Sequence, residues 1–355
     1  MPRHYESHAL RLWRKTTALA RSSLTNDTQS VYETGIRLFH DFSLEMCPAL
    51  LFPLHDKDWA MFYVWNTERV AHDSAVNYLS HVAFLQETTL FIPRPIWPQL
   101  PLLARAKRGR KLRFGKKRRR TKLPVTYRIA CQARAFTGLD PRLVTKADLL
   151  LATFICIMLV GICGLFRLGE LLLARRKGHD PEKVLRHGQV TIFDRPDFGP
   201  AGTTQVARIW LLKSKGDVYG DGTPVFVPAN SNDPLNCPVE WLKAVKRLTH
   251  NPRTGDLTPM FMTTQQQILL KTPFINWLRK TLQSLGYQSK LYAGHSLRIG
   301  GAVSAKRNGI PHHVIQMMGR WKSHAYELYI KYTPDRIQRL RDHIATKQNI
   351  SRDTL

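Results

Sequence analysis

Four short segments in the second half of this chain hold residue types suited to work on a phosphodiester. GLFRLGELLL carries Arg167 and Glu170, and a turn-rich stretch carries Lys213 and Lys215; GHSLRIGGA carries His295 and Arg298, and GRWKSHAYELYIKY carries Trp321 followed by Tyr326, Tyr329 and Tyr332. Displacing a phosphodiester oxygen without a metal ion needs side chains that neutralise the two non-bridging oxygens as charge builds. Guanidinium is permanently charged and bidentate toward phosphate, so Arg167 and Arg298 are the candidate clamp. Glu170, three residues after Arg167, would orient or neutralise that arginine. His295 and Arg298 are also three apart, so a helical backbone projects both from one face. His295 can hydrogen-bond a phosphate oxygen or handle a phenolic proton, whereas Trp321 offers one N–H donor and cannot be a base. A lysine on a flexible hairpin, Lys213 or Lys215, can protonate the leaving oxygen of a phosphodiester. The three tyrosines lie near one helical face, and geometry alone does not choose a nucleophile among them. A free phenol ionises at about pH 10, so any of them needs the cationic pocket of Arg167, Arg298 and His295.

An isolated R-x-x-E or H-x-x-R is common on solvated helix faces; the order of the pieces carries the information. In the order Arg, Lys, His-x-x-Arg, Trp and Tyr, residues from about 123 to 333 resemble the catalytic domain of the tyrosine recombinase and phage integrase family. SLRIGGA and MMGRWKS are similar to recombinases of eukaryotic mobile elements of the Crypton type. The resemblance implies an enzyme that cuts and rejoins DNA through a 3′-phosphotyrosyl intermediate, without metal or cofactor. Its catalytic residues would be Arg167, Lys215, His295, Arg298, Trp321 and Tyr329, supported by Glu170 and Lys213. Tyr329 is selected because Tyr329-Ile330-Lys331 stands at the family's distance from Trp321 and shares its aliphatic and basic followers. Lys215 is preferred to Lys213, although Gly216 follows where relatives often carry a larger side chain.

The same resemblance implies a mainly α fold with a small antiparallel β-sheet (α+β), built as a two-domain C-shaped DNA clamp. Double-stranded DNA is the implied partner, and the assembly is a homo-oligomer, a dimer on one site and a tetramer at synapsis. Integration or excision of a mobile element is the implied role. Two other classes use some of the same residues: a non-catalytic recombinase-derived DNA-binding protein, which binds without cleaving, and a type IB topoisomerase-like enzyme, which relaxes DNA as a monomer.

These residues need elements to position them. Tyr32, Ile36 and Phe39, and then Val76, Leu79 and Ala83 after a possible cap at Asp73, repeat at helical spacing, so residues 1–103 read as a helical bundle. The resemblance matches it to the family's core-binding DNA-binding domain. Four prolines between Pro93 and Pro101 end that pattern. In the linker expected at 104–122 about two residues in three are basic, and Gly109 and Gly115 argue against a long regular helix. Arg105, Lys107, Arg108, Arg110, Lys111, Arg113, Lys116, Lys117, Arg118, Arg119, Arg120 and Lys122 are the candidate phosphate-neutralising residues there, and the run also fits a nuclear-import tract. Residues 123–334 form the second domain, with strands expected at 189–194, 205–212 and 223–228 and helices after Pro238 and up to Gly286. Ile337, Leu340 and Ile344 predict a tail helix within 335–355 that must dock on a core.

The chain has 355 residues and carries 54 Lys and Arg against 26 Asp and Glu, a formal net charge of +28 that calls for an acidic partner. The basic run lacks the interleaved large apolar residues of an interfacial helix, which disfavours a membrane. Leu149 to Phe166 is about long enough to span a bilayer, but it runs directly into Arg167 and Glu170 and reads as a buried core helix. The five cysteines form no C-x-x-C pair, so neither zinc nor a disulfide is expected. The N-terminal residues lack the apolar stretch of a secretory signal, which predicts a nuclear protein in a eukaryote and a cytoplasmic one otherwise.

Overall fold

In a computed structural model, the helical spacing of the first hundred residues becomes α1 (Asn26–Glu45), α2 (Asp56–Arg69) and α3 (His72–Thr89). The structure describes residues 26–46, 52–115, 122–176, 180–195, 204–214, 217, 220–323, 326 and 327, with isolated positions between 12 and 23. Phe39 and Phe42 of α1 meet Trp59, Phe62 and Tyr63 of α2 and Leu79, Val82 and Ala83 of α3 in one buried core. Helix α3 starts from Ala71, so Asp73 stands in its first turn and not at the cap. A carboxylate there still complements the positive end of the helix dipole.

After the prolines comes α4 (Pro101–Phe114), and here the expectation from sequence is corrected. The helix runs through Gly109 and ends only at Gly115, whose φ of +65° suits a residue without a Cβ. Its start is fixed by a distant side chain: Asp56 accepts from the amides of Leu102 (2.7 Å) and Leu103 (2.9 Å), donors that a helix N-terminus leaves open. Leu103 is buried in the α1–α3 core. The first half of the basic run is therefore a helix of the N-terminal unit and not a linker. The chain divides into two compact units, Met1–Arg119 and Arg120–Leu355.

The second unit is built around α6 (Leu149–Cys163), which packs against α5 (Tyr127–Thr137), α8 (Pro238–Thr249) and α10 (His295–Arg307). Residues Ala152 to Ile162 are buried without a break, as expected for a helix apolar on every side. By length and composition the stretch Lys146–Cys163 could cross a membrane, yet 67% of it is buried inside the unit. Beside it lies a three-stranded antiparallel sheet in the order β1-β2-β3: β1 (Val190–Arg195), β2 (Thr204–Leu211) and β3 (Thr223–Pro228). Ile209 pairs with Val190 on one side and Val225 on the other, so β-branched residues stack across all three strands. Helices α7 (Leu168–Leu171), α9 (Lys271–Ser284) and α11 (His312–Met318) complete the described part of the unit. The tail helix expected at 335–355 lies outside the described residues.

Two adjacent glycines set the depth of α10. A Cβ on Gly300 would collide with the Val125 carbonyl oxygen, and one on Gly301 with that of Ile162. Backbone thus approaches backbone, and His295 and Arg298 in the first turns of α10 are held against the end of α6.

Candidate active site

The turn after α6 places the first arginine. Leu165 has a φ of +47°, unusual for a side chain branched beyond Cβ, and the chain then reverses into the single-turn helix α7 with Arg167 at its N-cap. Glu170 folds back over this turn: its Oε2 accepts from the Arg167 amide (2.9 Å) and its Oε1 from Arg167 Nη1 (2.7 Å). The i+3 spacing read from sequence is therefore a capping arrangement at a helix start, in which one carboxylate serves both the backbone and the side chain of Arg167. The Glu170 side chain is 4% exposed and that of Arg167 is 28% exposed, so the arginine keeps an open edge.

Arg298 is wholly buried. Its Nη1 donates to the Leu165 carbonyl (2.6 Å), its Nη2 donates to the Gly319 carbonyl, and its guanidinium lies under the Trp321 ring, 4.2 Å from the ring centre. Sequence spacing put His295 and Arg298 on one face; the helix does so at different depths, with His295 exposed at the rim. Partial withdrawal from water, followed by the charges of Arg298 and Arg167, pushes the His295 imidazole below its ordinary pKa. His295 thus lies within the electrostatic reach of both arginines, whose charges favour its neutral form.

Arg320, which the sequence did not single out, packs beside these residues. Its Nη2 lies 2.9 Å from Glu170 Oε2 and its Nη1 3.2 Å from the Gly164 carbonyl, while the guanidinium stands 5.2 Å over Phe166. A basic residue in a G-x-W turn has no periodicity to flag it. Its adjacency to Trp321 was the available signal.

The candidate lysines lie in the β2–β3 hairpin. Lys213 is bound to Asp180 (3.1 Å) and Glu182 (2.5 Å) at the base of the loop, whereas Lys215 lies outside the described residues. Further along, Asp217 accepts from the amides of Gly220, Asp221 and Gly222. The Gly222 amide above all, then the others and the Lys322 charge, hold its carboxyl below the usual range against some desolvation. The hairpin is thereby within electrostatic reach of Lys322, the neighbour of Trp321.

Of the three tyrosines, Tyr329 and Tyr332 lie outside the described residues. Tyr326 is buried in a small core with Leu165, Ala302 and Ile315, tilted against Trp321 at 5.9 Å.

The basic residues divide along α4. Arg105, Arg108, Lys111 and Arg113 are exposed, while Lys107 and Arg110 are half-buried, Lys107 5.3 Å from the Trp97 ring centre and Arg110 donating to the Thr67 carbonyl (3.1 Å). Lys116, Lys117, Arg118, Arg119 and Arg120 lie outside the described residues, and Lys122, in the second unit, donates to the Lys290 carbonyl (3.0 Å).

No family model and no curated protein matches this chain in sequence. Solved structures match it in fold. A lambda integrase dimer bound to a COC′ core site is 14% identical over 90% of this chain and 94% of its own, with a TM-score of 0.54. The Tn1549 transposon integrase in complex with transposon right end DNA is 14% identical over 94% of this chain and 98% of its own, with a TM-score of 0.55. The XerH site-specific recombinase in a post-cleavage complex with palindromic difH substrate is 13% identical over 88% of this chain and 78% of its own, with a TM-score of 0.57. The mostly helical architecture with one small three-stranded antiparallel sheet is thus the tyrosine recombinase fold.

Proposed function

We propose that this chain is a site-specific DNA recombinase that cuts and rejoins duplex DNA through a 3′-phosphotyrosyl intermediate, serving integration or excision of a Crypton-type mobile element. The observation that carries this reading is the convergence of Arg167, His295, Arg298 and Trp321 on the tyrosine recombinase fold, from segments far apart in sequence. Arg167 and Arg298 neutralise the non-bridging oxygens, and His295 and the Trp321 N–H donate to them. Tyr329 Oη attacks the scissile phosphorus as His295 takes its proton, the bond to the 5′ oxygen breaks, and Lys215 protonates that oxygen. A 5′ hydroxyl then attacks the phosphotyrosine, releases Tyr329 and reseals a strand, so bond energy is conserved and no nucleotide hydrolysis is needed. Engagement of Lys213 by Asp180 and Glu182 supports Lys215 as the donor. Burial of Tyr326 supports Tyr329 as the nucleophile.

In this reading the N-terminal unit is a core-binding domain, and the exposed cations of α4 with Lys116 to Arg120 neutralise phosphates as the two units clamp the duplex. The chain acts as a dimer on one site and a tetramer at synapsis, in the nucleus of a eukaryotic host. A second reading, a recombinase-derived DNA-binding protein without cleavage, is favoured by one observation: the terminal nitrogens of Arg298 already serve two backbone carbonyls. Incubation with a pool of random-sequence duplexes, denaturation and sequencing of protein-linked DNA separates the two. The recombinase yields a covalent adduct on a defined site with or without EDTA; DNA retention without any adduct would assign the second reading.

A further inference from the structure

Arg320 combines three features that surface arginines lack. Its backbone sits at φ +56°, in the left-handed region, at a cost that L residues bear only where the surroundings impose it. Its side chain is 16% exposed, and its fork is spread over Glu170, Gly164 and, at 3.4 Å, the Met318 and Leu165 carbonyls. Finally, it occupies the second oxygen of the carboxylate whose first oxygen holds Arg167.

Glu170 is thus a buried carboxylate between two guanidinium groups. Arg167 engages both oxygens, Oε2 through its amide and Oε1 through Nη1, and Arg320 shares Oε2, so each oxygen faces a guanidinium and Arg320 adds a second, independent restraint on the carboxylate plane. The same arginine holds the turn that bears Trp321, so the aim of Arg167 and the placement of Trp321 depend on one side chain. The Leu165 carbonyl, which accepts from both Arg298 and Arg320, ties the second clamp arginine to the same point.

We infer that Arg320 is a positioning residue for strand cleavage: acting through Glu170 from the side opposite Arg167, it fixes the Arg167 guanidinium toward the scissile phosphate and locks the Trp321 turn to it. The inference rests on the recombinase reading and adds to it a residue outside the Arg, Lys, His-x-x-Arg, Trp, Tyr pattern. If Arg320 acts through Arg167 on phosphate charge, its loss matters only while that charge is present; a purely structural staple would matter equally for a neutral substrate.

The test uses the full chain and a duplex recovered as an adduct from the random pool, prepared with an ordinary phosphate and with a neutral methylphosphonate at the cleavage position. Arg320→Gln should slow single-turnover adduct formation on the phosphate by about tenfold or more while DNA retention changes less than about twofold. On the methylphosphonate its deficit should shrink to within about threefold, and in a Glu170→Gln background it should add little. An equal deficit on both duplexes, full additivity with Glu170→Gln, or a wild-type rate would overturn the assignment. If Arg320→Gln loses its cooperative melting transition, Arg320→Lys, which keeps the charge without the fork, is read on the same two duplexes with the same criteria. Absence of any adduct with the wild-type chain would instead reject the recombinase reading, and this inference with it.

Discussion

The guanidinium of Arg298 lies face-on beneath the ring of Trp321, 4.2 Å from its centre, and no part of Arg298 reaches solvent. The indole ring covers a buried cation. Trp321→Ala should therefore lower the stability of the second unit by roughly 2 kcal/mol, through lost packing and the lost cation–π contact. Trp321→Phe, which retains a ring, should cost under about 1 kcal/mol and still depress adduct formation, since the donor is gone. Urea titrations of both variants check this; a Phe variant as unstable as the Ala variant would mean that the ring is not what shields Arg298.

The two clamp arginines should separate in stability but not in catalysis. Arg298→Lys replaces a fork that serves the Leu165 and Gly319 carbonyls inside the protein, and should cost about 1–3 kcal/mol. Arg167→Lys, at a partly open position paired to Glu170, should cost less than about 1 kcal/mol. Both should abolish adduct formation and leave DNA binding within about 1 kcal/mol, because one phosphate among many is affected. Near-normal strand exchange by either would remove it from the clamp.

Tyr329→Phe should bind DNA and form no adduct, whereas Tyr326→Phe and Tyr332→Phe retain one. The Tyr326 ring packs against Leu165, Ala302 and Ile315, contacts that phenylalanine preserves. Denaturing electrophoresis reads all three, and an adduct lost specifically in a neighbour would shift the register of the last helix.

Replacing Arg105, Arg108, Lys111 and Arg113 together with Gln should flatten the dependence of log K on log salt by about 0.9 for each phosphate contact removed, uniformly across DNA sequences. The same replacement of Lys116 to Arg120 should act alike, and an unchanged slope would leave that run an import tract. In the same helix, Gly109 has open space where a Cβ would project, so Gly109→Ala should stabilise the N-terminal unit by about 0.5–1 kcal/mol. Thermal melting measures it.

A buried histidine gives the second unit a pH limit. Thr249 Oγ1 donates to the Val245 carbonyl (2.7 Å), so in the 2.8 Å contact with His187 it is Nε2–H that donates. Burial, then the Lys246 and His250 charges, push His187 down to about 4 from its ordinary 6.5. Between these values the unfolded chain binds a proton that the native site refuses. Stability that is full above pH 6.5 should therefore decline by up to about 3 kcal/mol as pH falls through about 4. His187→Gln keeps a donor without the titration and should flatten that slope in urea titrations at stepped pH.

Much of this was legible in the sequence, for local reasons. β1, β2 and β3 fall within one residue of the expected strands, because β-branched runs bounded by turn residues are decided by their own composition. Residue type and order singled out Arg167, His295, Arg298 and Trp321, which the fold brings near one another. What was not legible depended on partners distant in sequence. α4 forms through Gly109 because Asp56, some 46 residues earlier, caps its start and Leu103 anchors it in a core. Arg320 meets Glu170, 150 residues earlier, in a contact that no local pattern reports. The depth of Arg298 follows from backbone contacts at Gly300 and Gly301, which no periodicity reports.

Helix α6 has a consequence for how the protein is made. Its covering helices come from both sides in the chain, α5 before it and α8 and α10 after it, so a ribosome releases this apolar stretch well before the last cover exists. At about 5–20 residues per second, the interval through residue 307 lasts on the order of ten seconds. During that time the nascent segment matches a membrane anchor in length and hydropathy. The core of the second unit is thus completed only once α10 has been synthesised, and until then α6 presents apolar surface that its later partners cover.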